Sequence, residues 1–244
     1  MIAIETTKLT KKFQTKTAVN SLNLSIKQGE LFALLGVNGA GKTTTIKMLT
    51  CLISPTSGDA ALHGHSIISN PHGVKEKINV SPQETAVARN LSVKENLELI
   101  ARIYGFDKKA TAIKVKEMMT TFSLTEVSKD KAKTLSGGMQ RRLSIAMALI
   151  TDPKILFLDE PTQGLDVISR RELWTVIEKL KGKITIILTT HYMEEAEALS
   201  DRIGIMSAGK LKATGTVSEL MRKSNTKTLE EAFVSLATKE EVEY

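Results

Sequence analysis

The sequence predicts an α/β fold in which short apolar strands alternate with helices. Three observations carry that prediction. The apolar run at 31–35 passes into a glycine-rich turn and then a helix-like segment at 44–52. A second run, Ile155-Leu156-Phe157-Leu158, ends in two carboxylates, and a third at 184–190 ends in His191. Unbroken apolar runs of this length read as buried strands of an open sheet, whose carboxyl ends are where ligands gather.

In chain order, residues 1–82 read as strands and one helix. Leu22-Asn23-Leu24-Ser25-Ile26 alternates with the period of a half-buried strand, and Pro55-Thr56-Ser57-Gly58 reads as a turn. The octet Gly36-Val37-Asn38-Gly39-Ala40-Gly41-Lys42-Thr43, placed between the strand at 31–35 and the helix at 44–52, fits the pattern of a phosphate-cradling loop. Its glycines relieve steric restriction. Backbone N–H groups along Gly36, Asn38, Gly39, Ala40, Gly41, Lys42, Thr43 and Thr44 can then approach phosphate oxygens. The Lys42 ammonium is expected to reach the terminal phosphates and the Thr43 hydroxyl to ligate Mg2+, while the start of the following helix favours the anion. Nucleotide binding is the function this segment predicts.

Residues 83–134 change character. Segments 93–104, 109–122 and 125–130 carry helical periodicity and little strand character, which predicts an inserted helical unit. Residues 135–222 return to alternating strand and helix. They open on Leu135-Ser136-Gly137-Gly138-Met139-Gln140-Arg141-Arg142, before an amphipathic helix at 139–150. Ser136 reads as the helix cap, and with Gly137 and Gly138 it makes a second anion-binding surface at a positive dipole end. One nucleotide does not need two such surfaces from one subunit. Ser136, Gly137 and Gly138 of one copy are therefore expected to cover the terminal phosphate held by the loop of another.

The strand at 155–158 leads into Asp159, Glu160 and Pro161. Adjacent strand residues point to opposite faces, so the two carboxylates divide the work. Asp159 is expected to bind Mg2+ and Glu160 to polarise the attacking water, with Pro161 biasing Glu160 towards an extended backbone. Ser207-Ala208-Gly209-Lys210 reads as a hairpin. In the tail at 226–244, Leu229, Ala232, Phe233 and Leu236 at helical spacing predict a docked helix, and the acidic run Glu240, Glu241, Glu243 a frayed end.

Composition narrows the classes further. The chain has 244 residues, 41% hydrophobic and 25% charged, an ordinary globular balance with enough length for a sizeable core. A net charge of +7 invites nucleic acid as a partner, but the basic residues are dispersed and aromatics make up only 4%, so no stacking platform is visible and none is expected. The single cysteine, Cys51, cannot form an internal disulfide and reads as a small buried residue of a reducing compartment. No apolar stretch of about 18 residues that could span a bilayer occurs, and neither a signal peptide nor a transmembrane segment is expected. A small GTPase is disfavoured, since no Asn-Lys-x-Asp guanine-reading motif occurs.

The phosphate loop, Gln83 after the strand at 78–80, the segment Leu135 to Gln140, the strand ending in Asp159 and Glu160, Gly164-Leu165-Asp166 and His191 occur together in an order and spacing that resembles the ATP-binding subunit of an ABC transporter. The resemblance extends over nearly the whole chain. It implies a P-loop NTPase fold: a RecA-like core with an antiparallel β subdomain at 1–82 and 135–222, an inserted α-helical subdomain at 83–134, and a C-terminal helix and acidic tail at 223–244. It also implies that Phe13 stacks on adenine, that Gln83 senses Mg2+ and the attacking water, that Asp166 crosses a dimer interface and that His191 contacts the γ-phosphate. Gln163 and Cys51 look like variable choices within the pattern. A ribosome-acting member would carry two nucleotide modules, and a chromosome- or repair-type member a long coiled coil between Lys42 and Ser136; this sequence has neither.

The segments Asn90-Leu91-Ser92-Val93-Lys94-Glu95-Asn96-Leu97, Thr190-His191-Tyr192-Met193-Glu194-Glu195-Ala196-Glu197 and Leu229-Glu230-Glu231-Ala232-Phe233 resemble the prokaryotic ABC-2-type branch, mostly exporters of drugs, antibiotics, lipids, polysaccharides or ions such as sodium. The resemblance implies an ATPase on the cytoplasmic face of the cell membrane, acting as a dimer of itself with a separate integral membrane permease. An import ATPase, a soluble ABC switch and a P-loop enzyme with a soluble substrate stay open as alternatives. The region 84–104, with Glu84, Val87, Leu91 and Leu99, is expected to grip a short helix of the permease.

Overall fold

The structure is a computed structural model that describes residues 1–238. The chain begins with two long strands, β1 (Ile2–Phe13) and β2 (Lys16–Lys27), then β3 (Leu31–Leu35), α1 (Lys42–Leu49), β4 (Ser57–Leu62), β5 (His65–Ser66), α2 (Pro71–Lys75) and β6 (Ile78–Ser81). Three helices follow: α3 (Val93–Ile103), α4 (Lys108–Thr121) and α5 (Gly137–Leu149). The remainder alternates: β7 (Ile155–Asp159), α6 (Val167–Glu178), β8 (Thr185–Thr190), α7 (Met193–Leu199), β9 (Arg202–Ser207), β10 (Lys210–Gly215), α8 (Val217–Ser224) and α9 (Leu229–Thr238).

Two sheets result. A four-stranded antiparallel sheet has the order β2-β1-β4-β5, and a six-stranded sheet the order β10-β9-β3-β8-β7-β6, parallel except for the β9-β10 hairpin. Strands β3, β7 and β8 are buried along their entire length, as their unbroken apolar runs require of strands covered on both faces. Alternate side chains divide between two cores. Phe32, Leu34, Phe157 and Ile187 pack towards the antiparallel sheet against Ile4, Leu24, Ile26, Ile46 and Leu62. Leu31, Ala33, Leu35, Leu156, Leu158, Ile186 and Leu188 pack on the other side with α3, α4, α5, α6 and the C-terminal helix α9. Burying one such side chain contributes roughly 1.5–3 kcal/mol.

Helix starts follow local chemistry. Ser92 and Glu95 close a capping box on α3, and Ser136 caps α5 by accepting from the Met139 N–H at 3.2 Å. Buried Asn96 accepts from the Ala88 N–H at 2.8 Å and donates to the carbonyls of Ala88, Leu91 and Ser92, which fixes the loop leading from β6 into α3. In the tail, Leu229, Ala232, Phe233 and Leu236 are buried and α9 packs on α8, so the docked helix is found. The expected acidic run Glu240, Glu241, Glu243 lies outside the described residues.

Several expectations are corrected. Residues 125–130 form tight turns, closed by Ser128 N–H to Thr125 O at 3.2 Å and Asp130 N–H to Val127 O at 3.0 Å, because the segment is too short to propagate a helix before Lys131 pairs with Ser92. The helix after the phosphate loop spans Lys42–Leu49, two residues earlier than expected at its start, and α5 begins at Gly137. The turn placed at 55–58 lies earlier, since Ser57 and Gly58 already belong to β4. Gly58 is required by close approach: at φ +75°, a Cβ there would sit 2.2 Å from the Lys8 carbonyl oxygen. The β9-β10 hairpin matches expectation, with Ala208 and Gly209 both at positive φ as a two-residue hairpin turn demands.

One buried side chain ties the carboxyl ends of two strands to α5. Arg141 donates through Nε to the Pro161 carbonyl at 2.8 Å and through Nη2 to the Asp159 carbonyl at 3.0 Å. Its Nη1 reaches the carbonyls of Pro82 and Gln83, after β6. Burial pushes this guanidinium down to about 10, which leaves it charged at neutral pH. A lysine cannot reproduce the planar fork. Arg141→Lys is expected to lower stability by about 1–3 kcal/mol for each carbonyl left without a donor. Urea denaturation checks this, and an unchanged midpoint would show that the fork does not hold the strand ends.

Candidate functional site

The phosphate loop, β7 and β8 converge because β3, β8 and β7 lie side by side in parallel register. Leu35 pairs with Thr190, and Asp159 with Thr189. At their carboxyl ends lies a cavity of about 430 Å³, lined by Phe13, Lys16, Ala18, Asn38 to Thr44, Gln83, Glu160 and Gln163. Its floor is the loop itself. Gly41 takes φ +105° and a Cβ there would lie 2.4 Å from the Ala18 carbonyl oxygen, so only glycine lets the chain turn into α1 here. Gly36 donates its N–H to the Thr190 carbonyl at 3.2 Å and anchors the loop to β8.

The charged groups form a chain. Lys42, 4% exposed, donates through Nζ to the Gly36 carbonyl at 2.7 Å and the Val37 carbonyl at 3.3 Å, and lies 3.2 Å from Glu160 Oε1. Glu160, 7% exposed, meets His191 Nδ1 with its other oxygen at 3.1 Å. Because a carboxylate only accepts, this contact assigns the proton to Nδ1. The second carboxylate is held separately: Asp159 Oδ1 accepts from the Thr43 hydroxyl at 3.2 Å and from the Thr189 hydroxyl.

Glu160 departs from expectation in its backbone. It sits at φ +45°, in the left-handed region, and not in the extended conformation that a following Pro161 favours. The Glu160 N–H donates to the Thr189 carbonyl at 3.1 Å and to its hydroxyl at 3.0 Å, and these bonds hold a residue that would otherwise relax. A non-glycine residue held this way costs of order 1–3 kcal/mol, and such strain concentrates at functional positions.

The other expected residues fall into two groups. Phe13 is 48% exposed at the rim of the cavity, with Lys11 Nζ 5.2 Å from its ring centroid, so it is a presented ring and not a core residue. Gln83 lines the cavity, where its amide donates to the Gln163 side chain. Ser136, Gly137, Gly138 and Asp166 lie elsewhere and do not line it. They share one surface: Leu165 approaches Gly137, and Ser169 packs on Gly138. Asp166 caps α6, accepting from the N–H groups of Ile168 and Ser169 at 2.9 and 3.0 Å, and from the Ser169 hydroxyl at 2.7 Å. The Ser169 bonds hold its carboxyl below the usual carboxylate range. Cys51 is half-buried, and burial raises its thiol pKa.

Sequence reasoning gave no role to Thr189, Arg141 or Gln163. Thr189 carried a weak signal, a polar residue inside an apolar run, and Arg141 another, a cation on the apolar side of a helix. Gln163 carried none, since its partner is Gln83. Among the described residues no helix is long and apolar enough to cross a membrane, and no group of three or more His, Cys, Asp or Glu side chains could enclose a metal ion.

Comparison with known proteins places these features. A family model described as ABC transporter matches residues 19–163, more than half of the chain. The daunorubicin/doxorubicin resistance ATP-binding protein DrrA of Streptomyces peucetius is 40% identical over 219 residues, covering 89% of this chain and 66% of that protein. Several plant and mammalian relatives are far longer, and the chain spans only 12% to 21% of their length. Among solved structures, an ATP-binding subunit of an ABC transporter superposes with a TM-score of 0.85 at 27% identity, covering 96% of this chain and 99% of that one. A dimeric ATP-binding cassette in a post-hydrolysis state, bound to ADP and phosphate, superposes with a TM-score of 0.78 at 25% identity over 87% of this chain and 98% of that one. The chain has the fold of a P-loop ATP-binding cassette and belongs to the ABC transporter family.

Proposed function

We propose that the chain binds and hydrolyses ATP with Mg2+ as a dimer of itself, and that hydrolysis drives export of a substrate through a separate integral membrane permease, with the chain docked on the cytoplasmic face of the membrane. The observation that carries this reading is the convergence on one cavity of Lys42, Thr43 and Glu160, with His191 bonded to Glu160 behind it and Asp159 bonded to Thr43. The drug-resistance name of DrrA supports the outward direction, and the dimeric neighbour with its nucleotide supports both the ligand and the assembly.

The residues fit Mg2+. Thr43 and Asp159 present two hard oxygens 3.2 Å apart, and a cation that keeps its waters and shares substrate phosphates needs only one or two protein ligands. Gln83 would join them after leaving Gln163. When bound, the cation supplies positive charge beside the phosphate oxygens.

Each protein group has a role on this reading. Phe13 stacks on the base, and loop N–H groups between Asn38 and Thr44 hold the phosphates; the expected part of Gly36 is corrected, since its N–H is committed to Thr190, and the Ala40 N–H is likewise bonded to Val37. The terminal phosphate replaces Glu160 as the partner of Lys42, which frees the carboxylate to accept a proton from the attacking water. His191 keeps that carboxylate aimed while contacting the same phosphate. Ser136, Gly137 and Gly138 lie outside the cavity, so they act on the nucleotide of the second copy, with Asp166 at the same junction.

Three outcomes test the reading. Glu160→Gln keeps size and hydrogen bonding but removes the base, so ATP turnover should fall roughly 100- to 10,000-fold while ATP affinity is retained. Near-normal turnover would remove Glu160 from that role. The same variant should be monomeric alone and dimeric with ATP and Mg2+ by light scattering, and a persistent monomer would rule out self-dimerisation by the isolated chain. A mixed dimer of Lys42→Ala and Ser136→Arg chains should regain turnover that neither variant shows alone, because one composite site escapes both lesions.

A further inference from the structure

The nucleotide chemistry above leaves one buried carboxylate without a task. Glu195, on α7 one helical turn beyond His191, is 0% exposed. Its Oε1 accepts from the Trp174 indole N–H on α6 at 3.1 Å, and its Oε2 has no hydrogen-bond partner. The Thr162 hydroxyl and Arg170 Nε are likewise buried without partners. Burial raises the Glu195 pKa, and the Trp174 indole N–H is among the groups that offset part of that. Two elements therefore meet here: α6, through Arg170 and Trp174, and α7 with the turn that leads into it from β8.

Stability alone does not explain the arrangement. A buried carboxylate with one hydrogen bond and one oxygen without a partner is costlier than an apolar residue of similar volume. The same cluster reaches the site by two routes. The Arg170 guanidinium lies 4.9 Å from the Tyr192 ring centroid, and the Tyr192 ring is 4.1 Å from that of His191. The Thr190 hydroxyl accepts the Tyr192 N–H at 2.9 Å, which shapes the turn that aims His191 at Glu160.

We propose that Glu195 is a positioning residue for hydrolysis: its bond to Trp174 clamps α6 on α7, which keeps Arg170 over the Tyr192 ring and His191 aligned on Glu160. Asp166 caps the same α6, so a shift of the Asp166 surface is transmitted to His191 through that helix. This rests on the proposed roles of Glu160 and His191.

A double-mutant cycle on the full chain separates this role from a merely structural one. Glu195→Ala should lower the kcat for ATP about ten- to a hundredfold, the scale of a small misalignment, with the KM for ATP unchanged. Glu195→Gln, which still accepts the indole N–H, should recover most of that loss. In a His191→Ala background, Glu195→Ala should cost nothing further, because its effect runs through His191. Trp174→Phe, which removes only the indole donor, serves as the second probe if Glu195→Ala does not fold, and it should show the same lack of additivity. Wild-type kcat in Glu195→Ala, a loss shared equally by KM, or full additivity with His191→Ala would each overturn the proposal while leaving Glu160 as the base. Failure of the wild-type chain to hydrolyse ATP would instead overturn the functional reading itself, and this proposal with it.

Discussion

The site depends on the pairing of Asp159 with Thr189 across β7 and β8. That register sets two carboxylates at a strand end within reach of the phosphate loop, and the Thr189 hydroxyl then serves both. It donates to Asp159 Oδ1, and as acceptor for the Glu160 N–H it helps hold the left-handed turn that carries Glu160 towards Lys42. Side chains that alternate across a strand could not both face one ligand. The backbone reversal at Glu160 resolves the conflict, and Thr189 sustains it. Valine has the same branched shape and would leave the strand intact while removing the hydroxyl bonds to both catalytic candidates.

Legibility in the sequence tracked the range of the interaction. The buried strands, the phosphate loop, the Ser136 cap and the β9-β10 hairpin rest on local chemistry: apolar runs, glycine conformations and capping side chains. All were readable. What escaped lies in contacts between distant segments. Thr189 meets Asp159, Arg141 joins the ends of β6 and β7, and Gln163 meets Gln83, none of them adjacent in sequence. The misreading of Glu160 has the same origin, since the local bias from Pro161 yielded to hydrogen bonds from another strand. The segment 125–130 failed for a different reason: helical periodicity says nothing about whether a short segment is long enough to nucleate.

Charge is handled by pairing, not by exposure. Lys42, Asp159, Glu160 and Arg141 are all buried, and each finds a partner: Lys42 with Glu160, Asp159 with two hydroxyls, and Arg141 with backbone carbonyls. A buried ion pair such as Lys42–Glu160 contributes little net stability, because desolvation offsets much of the attraction. Its value lies in preorganisation. Both groups are dehydrated and aimed before any ligand arrives, so less reorganisation is needed when a phosphate takes the place of the carboxylate. Arg141 plays the complementary part, fixing the carbonyls that follow β6 and β7 so that Gln83 and Glu160 leave their strands at a set angle.

The division of the binding groups between two surfaces has a mechanistic consequence. The cavity presents the loop, Glu160 and Gln83, whereas Ser136, Gly137 and Gly138 lie on another face with Asp166. On the proposed reading a single copy can bind nucleotide but offers only half of the groups around its terminal phosphate. Catalysis then becomes conditional on the encounter of two copies, and a permease attached to each can move only when they close. Asp166 stands where such a closure would be felt first, and its cap on α6 makes that helix a rigid lever towards Trp174, Glu195 and the His191 turn. The strained Glu160 lies at the other end of the same short segment, so on the proposed reading closure at the dimer face would be coupled to alignment of the base.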